Sequence, residues 1–97
     1  RLALAQPDNA HGWISWAFAL REIQQIEAAR DVLLRAEPRH PRCGTLHYNL
    51  ACYYCLLGES AEAERRLRRA LSLDRSWKAA ALEDPDLRAM RAQIHAW

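Results

Sequence analysis

The sequence predicts an all-α protein, built of antiparallel helix-pair repeats and closed by a C-terminal capping helix. Three observations carry that prediction. Ala, Leu and Arg abound, while Gly occurs 3 times and Pro 4 times in 97 residues, a balance that favours helix. Shifted by 34 residues, the sequence aligns with itself without a gap. Within each period the recurring apolar residues fall at helical spacing. Hydrophobic residues make up 51% of the chain, enough for the core of one domain.

The first nine residues read as the tail of an earlier helix. Leu2 to Gln6, followed by Pro7, matches the end of a second helix in the repeat, so a helix or a whole unit is expected upstream. The first full unit spans 10–43 and the second 44–77. Trp16 falls on Leu50, Ala17 on Ala51, Leu20 on Tyr54, Ala29 on Ala63, Leu33 on Leu67, Ala36 on Ala70 and Pro7 on Pro41. Leu50, Ala51 and Tyr54 share one helical face; Ala63, Leu67 and Ala70 form a second stripe at i, i+4 and i+7. An alanine on each stripe lets two helix axes approach closely. Gly58 is expected to end the first helix of its unit in a left-handed conformation, and Ser60 to N-cap the second. Pro38 and Pro41 stop the second helix of the first unit. One pair alone cannot bury its stripes; stacked pairs can.

Residues 78–97 break the period. Asp84 and Pro85 land where packing residues are expected. A short helix over 77–83 should stop there, with Asp84 capping and Pro85 opening a final helix. Leu87, Met90, Ile94 and Trp97 follow i, i+3, i+7 and i+10, the apolar side of a terminal cap.

These residues resemble the tetratricopeptide repeat, whose pattern is W-x2-L-G-x2-Y…A-x3-F…P at period 34. The first unit reads Trp13-x2-Trp16-Ala17-x2-Leu20, then Ala29-x3-Leu33, then Pro41. The second reads His47-x2-Leu50-Ala51-x2-Tyr54, then Ala63-x3-Leu67, then Arg75. His47 replaces the Trp, Arg75 replaces the Pro, and Gln24 stands where Gly58 stands in the second unit. The stretch Ala81-Leu82-Glu83-Asp84-Pro85-Asp86-Leu87 is similar to the closing segment of bacterial tetratricopeptide proteins. The resemblance implies a superhelix whose first helices line a concave groove that binds a partner's peptide or helix.

That groove would carry one stripe and its copy: His11, Ile14, Phe18 and Arg21, then Thr45, Tyr48, Cys52 and Cys55, with Asn49 beside them. The stripe is apolar and aromatic, which suits an apolar or amphipathic segment, and Arg21 is placed to orient an acidic group. Packing between neighbouring first helices is the competing role for Ile14, Phe18 and Tyr48. A carboxylate clamp, as in chaperone-binding members of the family, does not fit. Asn49 matches its central Asn, but Ile14 and Phe18 stand at the Lys and Asn, and Ala79 and Glu83 at the later cations.

The cysteines invite a metal or redox reading, and their spacing argues against it. Cys52 and Cys55 are i and i+3 on one helix face. A zinc site needs a second pair, which only Cys43 and His47 offer; five residues turn His47 about 140° away from Cys52. Cys52 lies about two turns inside its helix, where the dipole does not stabilise a thiolate. Two small hydrophobes on a helix face are the simpler account. Three cysteines within 43–55 are a poor disulfide framework and fit a reducing, cytoplasmic compartment.

Other classes fall away. Net charge is +2, with six basic and five acidic residues in 1–43 and eight and seven in 44–97, so nucleic acid is not an expected partner. Arg65, Arg66, Arg68 and Arg69 read as a solvated outer face, with Glu62–Arg66 and Glu64–Arg68 ion pairs. No apolar run approaches the ~20 residues needed to cross a membrane. No Ser/His/Asp set, phosphate-binding Gly loop or H-E-x-x-H appears, and turn or surface roles suffice for His11, His40, His47 and His95. The expectation is a scaffold without catalysis, cofactor or metal, whose partner is a protein. Self-association within a larger protein is the alternative, and a cysteine-based switch the third reading.

Overall fold

The computed structural model describes residues 10–97; the expected tail of an upstream helix lies outside them. The described residues form six α-helices and no strands: α1 (Ala10–Glu22), α2 (Ile26–Ala36), α3 (Gly44–Leu56), α4 (Ser60–Leu73), α5 (Trp77–Glu83) and α6 (Arg91–His95). Short 3-10 turns cover Glu37–Arg39 and Pro85–Met90. No helix among them is long and apolar enough to cross a membrane.

Helices α1 and α2 pack as one hairpin and α3 and α4 as another, and α2 packs on α3 between them. The same backbone device makes both hairpin turns. At the end of α1, Gln25 N–H donates to Leu20 C=O at 2.9 Å and Gln24 N–H to Arg21 C=O at 3.0 Å. At the end of α3, Glu59 N–H donates to Tyr54 C=O at 2.9 Å and Gly58 N–H to Cys55 C=O at 3.0 Å. These are paired Schellman bonds, which require a left-handed residue between them. Gly58 supplies it at φ 80°, and Gln24 is driven there at φ 66°.

That turn corrects the expected cap at Ser60. Glu59 closes the α3 turn and is itself the residue before α4, so Ser60 is already helical. The Glu59 carbonyl accepts from Ala63 N–H at 3.0 Å, and no side chain caps this helix start. Pro38 ends α2, which stops at Ala36. Pro41 contributes otherwise: its carbonyl accepts from His47 Nε2–H at 2.8 Å.

The core follows the 34-residue register. Ala17, Ala29, Ala36, Ala51, Ala63 and Ala70 have no exposed surface, and neither do Leu33, Leu50 and Leu67. Small residues at each crossing bring the helix axes together, and the leucines fill what remains. Trp13 is buried as well, while Trp16 and Leu20 are half-buried against the core.

The C-terminal elements fold back over α3. Asp84 caps the 3-10 turn by accepting from Asp86 N–H at 3.0 Å, and Pro85 opens it. Leu87, Met90 and Ile94 are buried, and Trp97 is half-buried. A Cβ at Gly44 would lie 2.8 Å from Trp77 Nε1, so glycine at the start of α3 lets α5 come close. Trp77 then stacks on Tyr48, one turn further along, with ring centroids 4.5 Å apart.

The arginines of α4 differ from expectation. Arg66 is buried, 5% exposed, and grips Glu37 through both terminal nitrogens at 2.7 and 3.0 Å. It is not on the solvated face and does not pair with Glu62. Glu62 pairs with Arg65 at 2.9 Å instead, while Glu64 pairs with Arg68 at 3.0 Å as expected. His47, expected in a turn or on the surface, is buried beside Arg66 at 3.1 Å. Spacing explains both. Arg66 is three residues after Ala63 and four before Ala70, on the buried stripe; His47 precedes Leu50 and Ala51 by three and four.

Candidate functional site

The stripe expected to line a groove divides into an open half and a covered half. On α1, His11 is exposed and lies 3.4 Å from Ser15 Oγ, Ile14 is half-buried, and Phe18 is 55% exposed. On α3, Tyr48 and Cys52 are buried, and Thr45, Asn49 and Cys55 are half-buried. The cover is the chain's own Asp84–Met90 segment, packed on α3.

Two aspartates fasten this cover. Tyr48 Oη–H donates to Asp84 Oδ2 at 2.7 Å, and the Cys52 thiol points at the same oxygen at 3.7 Å. Arg21 holds Asp86 with two nitrogens, at 2.6 and 3.2 Å, in the bidentate geometry that suits guanidinium and carboxylate. Arg21 thus orients an acidic group, and that group is in the same chain. The physical cause is the break in the period: Asp84-Pro85 cannot continue a packing stripe, so the chain turns back and delivers two carboxylates to α1 and α3.

Burial sets the acid–base state of this face. Desolvation first, and then Asp84, through its hydrogen bond for Tyr48 and its charge for Cys52, push the Tyr48 hydroxyl and the Cys52 thiol far above their ordinary values. Tyr53 is pushed up to about 12, chiefly by burial. Burial also raises Cys55. A reactive cysteine needs the opposite, a stabilised thiolate. All three cysteines are free thiols.

Among the described residues, one set of potential metal donors converges. Cys52 Sγ and carboxylate oxygens of Asp84 and Asp86 lie within 4.8 Å of one another. Their chemistry is already satisfied without an ion: Asp84 accepts from Tyr48, Cys52 and a backbone N–H, and Asp86 is neutralised by Arg21. A cation there would also sit beside that guanidinium. Of the other candidate ligands in the sequence, Cys43 precedes α3 in extended conformation and His47 is engaged by Pro41 and Arg66.

Beside the covered half, α1 and α3 leave a cavity of about 290 Å³. Phe18 and Arg21 line it from α1, Asn49, Cys52 and Tyr53 from α3, and Asp84–Asp86 from the returning segment. Sequence reasoning placed Phe18, Arg21, Asn49 and Cys52 together. It missed Asp84 and Asp86 as their neighbours; the signal was present in Asp84-Pro85-Asp86, read only as a helix start. No family model matches this chain, nor does any curated protein or solved structure.

Proposed function

We propose that this chain is a tetratricopeptide-like interaction module, without catalysis of its own, that binds a segment of a partner protein along the open half of the α1–α3 face. The observation that carries the reading is Phe18, a large aromatic side chain 55% exposed beside a cavity between two helices. Single exposed apolar side chains are ordinary; apolar surface that continues into a neighbour and a cavity, as Phe18 does into Ile14 and the cleft beside it, marks a contact site. The repeat at 34 residues, the matching hairpin turns and the matching buried alanines support the family resemblance. Ile14, one turn before Phe18, extends the apolar surface, and Asn49 offers an amide inside the cavity. Three free thiols accord with a cytoplasmic setting.

Tyr48 no longer belongs among the exposed anchors, so the test rests on α1. A photo-crosslinking phenylalanine analogue at position 18 should capture a defined protein partner, or a second copy of the chain, and Phe18→Glu should lose that association while keeping its helical circular dichroism. The same analogue at position 27, exposed on α2, should capture neither. A folded Phe18→Glu protein that associates normally sinks the reading.

A further inference from the structure

A second cavity, of about 430 Å³, lies along α4 and is lined by Glu37, Pro41, His47, Arg65, Arg66, Arg68 and Arg69. Four arginines and one carboxylate line it, and two of those arginines reach back to Glu62 and Glu64 on their own helix. We propose that this cavity binds a phosphate monoester carried on a serine or threonine of a partner protein. The proposal is independent of the α1–α3 face.

The arginines differ in how firmly they are held. Arg66 belongs to the fold, through Glu37, yet its Nε–H is buried and has no acceptor. Among the described residues Arg65 and Arg68 pair with Glu62 and Glu64 of their own helix, and their side chains are 62% and 55% exposed. Such exposed pairs hold weakly and yield to a stronger anion. Among the described residues Arg69 meets no carboxylate and makes one long hydrogen bond, 3.4 Å, to the Pro41 carbonyl. Positions 65, 68 and 69 stand at i, i+3 and i+4, so the three forks emerge on one side of α4. The Arg68 guanidinium also lies over Trp97, 4.2 Å from its ring centroid, a contact that reduces the entropy lost on binding.

Three such forks suit a group with three terminal oxygens and about two negative charges, which is a phosphate monoester rather than a carboxylate. His47 does not add charge: its Nε2–H donates to Pro41, which leaves Nδ1 as an acceptor toward Arg66. With Glu37, Glu62 and Glu64 set against the four arginines, the excess positive charge is small and confined to one cavity rather than spread along a basic surface. That favours a discrete anionic group over a nucleic-acid backbone.

Calorimetric titration of the full chain tests this with four probes: a phosphoserine peptide, its unphosphorylated twin, inorganic phosphate and a single-stranded oligonucleotide. The phosphopeptide should bind and its twin should not, with inorganic phosphate competing only at higher concentration. Arg65→Ala and Arg69→Ala should each weaken binding about tenfold. Arg88→Ala, an equal change of net charge away from the cavity, should leave binding unchanged. Glu62→Gln, which releases Arg65, should tighten it. Equal loss in Arg88→Ala and Arg69→Ala would reduce the effect to diffuse attraction and overturn the site. Oligonucleotide binding tighter than the phosphopeptide, or inorganic phosphate binding as tightly as the peptide, would overturn the proposed source of the phosphate.

Discussion

A second proton on His47 has no acceptor. Its Nε2–H is committed to the Pro41 carbonyl, which can only accept, so Nδ1 is the basic nitrogen and it faces Arg66 at 3.1 Å. Protonation at Nδ1 would set two cations against each other in a buried site. Burial first, then the neighbouring Arg66 and Arg69, hold the ring below its ordinary 6.5, against the opposing pull of Pro41 and Glu37. The Arg66 hydrogen bonds hold Glu37 below its ordinary 4.5. Both groups are depressed in the folded state, so the unfolded chain binds more protons at low pH. Stability is complete above about 6.5. It falls as pH drops through the His47 window, and again below the ordinary range of Glu37. The melting temperature should therefore decline between neutral pH and about pH 5. His47→Gln, whose amide can keep one donor and one acceptor, should flatten that first decline and retain the second; an unchanged profile would rule His47 out as its source. Arg66 and His47 were legible in spacing, since both fall on buried stripes, yet their polarity argued for the surface. The pairing that allows burial joins residues 29 and 19 positions apart, which no local pattern displays.

At the scale of elements, the two hairpin turns are nearly a controlled comparison. Both have the same bonds and the same left-handed residue, but one has Gly58 and the other Gln24. A side chain in that backbone region costs about 1–2 kcal/mol because Cβ crowds the following carbonyl. Glycine has a larger unfolded-state entropy to lose, which returns part of the difference. Gln24→Gly should therefore stabilise the protein by about 1 kcal/mol in urea unfolding, and Gly58→Gln should destabilise it by a similar amount. Space around Gly58 is open, with nothing within 4 Å of where a Cβ would stand, so backbone strain alone decides the second variant. If neither variant moves the midpoint, the turn geometry is not what limits these hairpins. Helix ends of this kind were readable in advance: Gly58, the stop near Pro38 and the 77–83 helix all follow from local chemistry. Ser60 was not, because a shared residue between two helices leaves no separate cap position. The destination of the final segment was also hidden. Leu87, Met90 and Ile94 announce an apolar side, but not which surface it will cover.

For the whole molecule, sequence sufficed to predict an all-helical chain with buried alanines at its repeating positions, because those follow from periodicity and residue size. It did not predict that the expected groove would be half occupied. The described residues extend 41 × 27 × 20 Å, and the occupied side is fastened by the contact between Arg21 and Asp86, 65 residues apart. That separation bears on the order of assembly. Each hairpin joins neighbours in sequence, and contacts of that kind form early and quickly; closing a long loop costs more entropy and comes later. The Arg21–Asp86 clasp should be absent from the folding transition state. Weakening it then speeds unfolding and leaves the folding rate alone. For Asp86→Asn, a loss of roughly 1 kcal/mol corresponds to about a fivefold faster unfolding arm in stopped-flow experiments, with the refolding arm superimposable on that of the original chain. A slower refolding arm would instead place the clasp at the nucleus. On the expected outcome, Arg21 and Asp86 act as a latch: the lifetime of the folded molecule, rather than the speed of reaching it, depends on one ion pair.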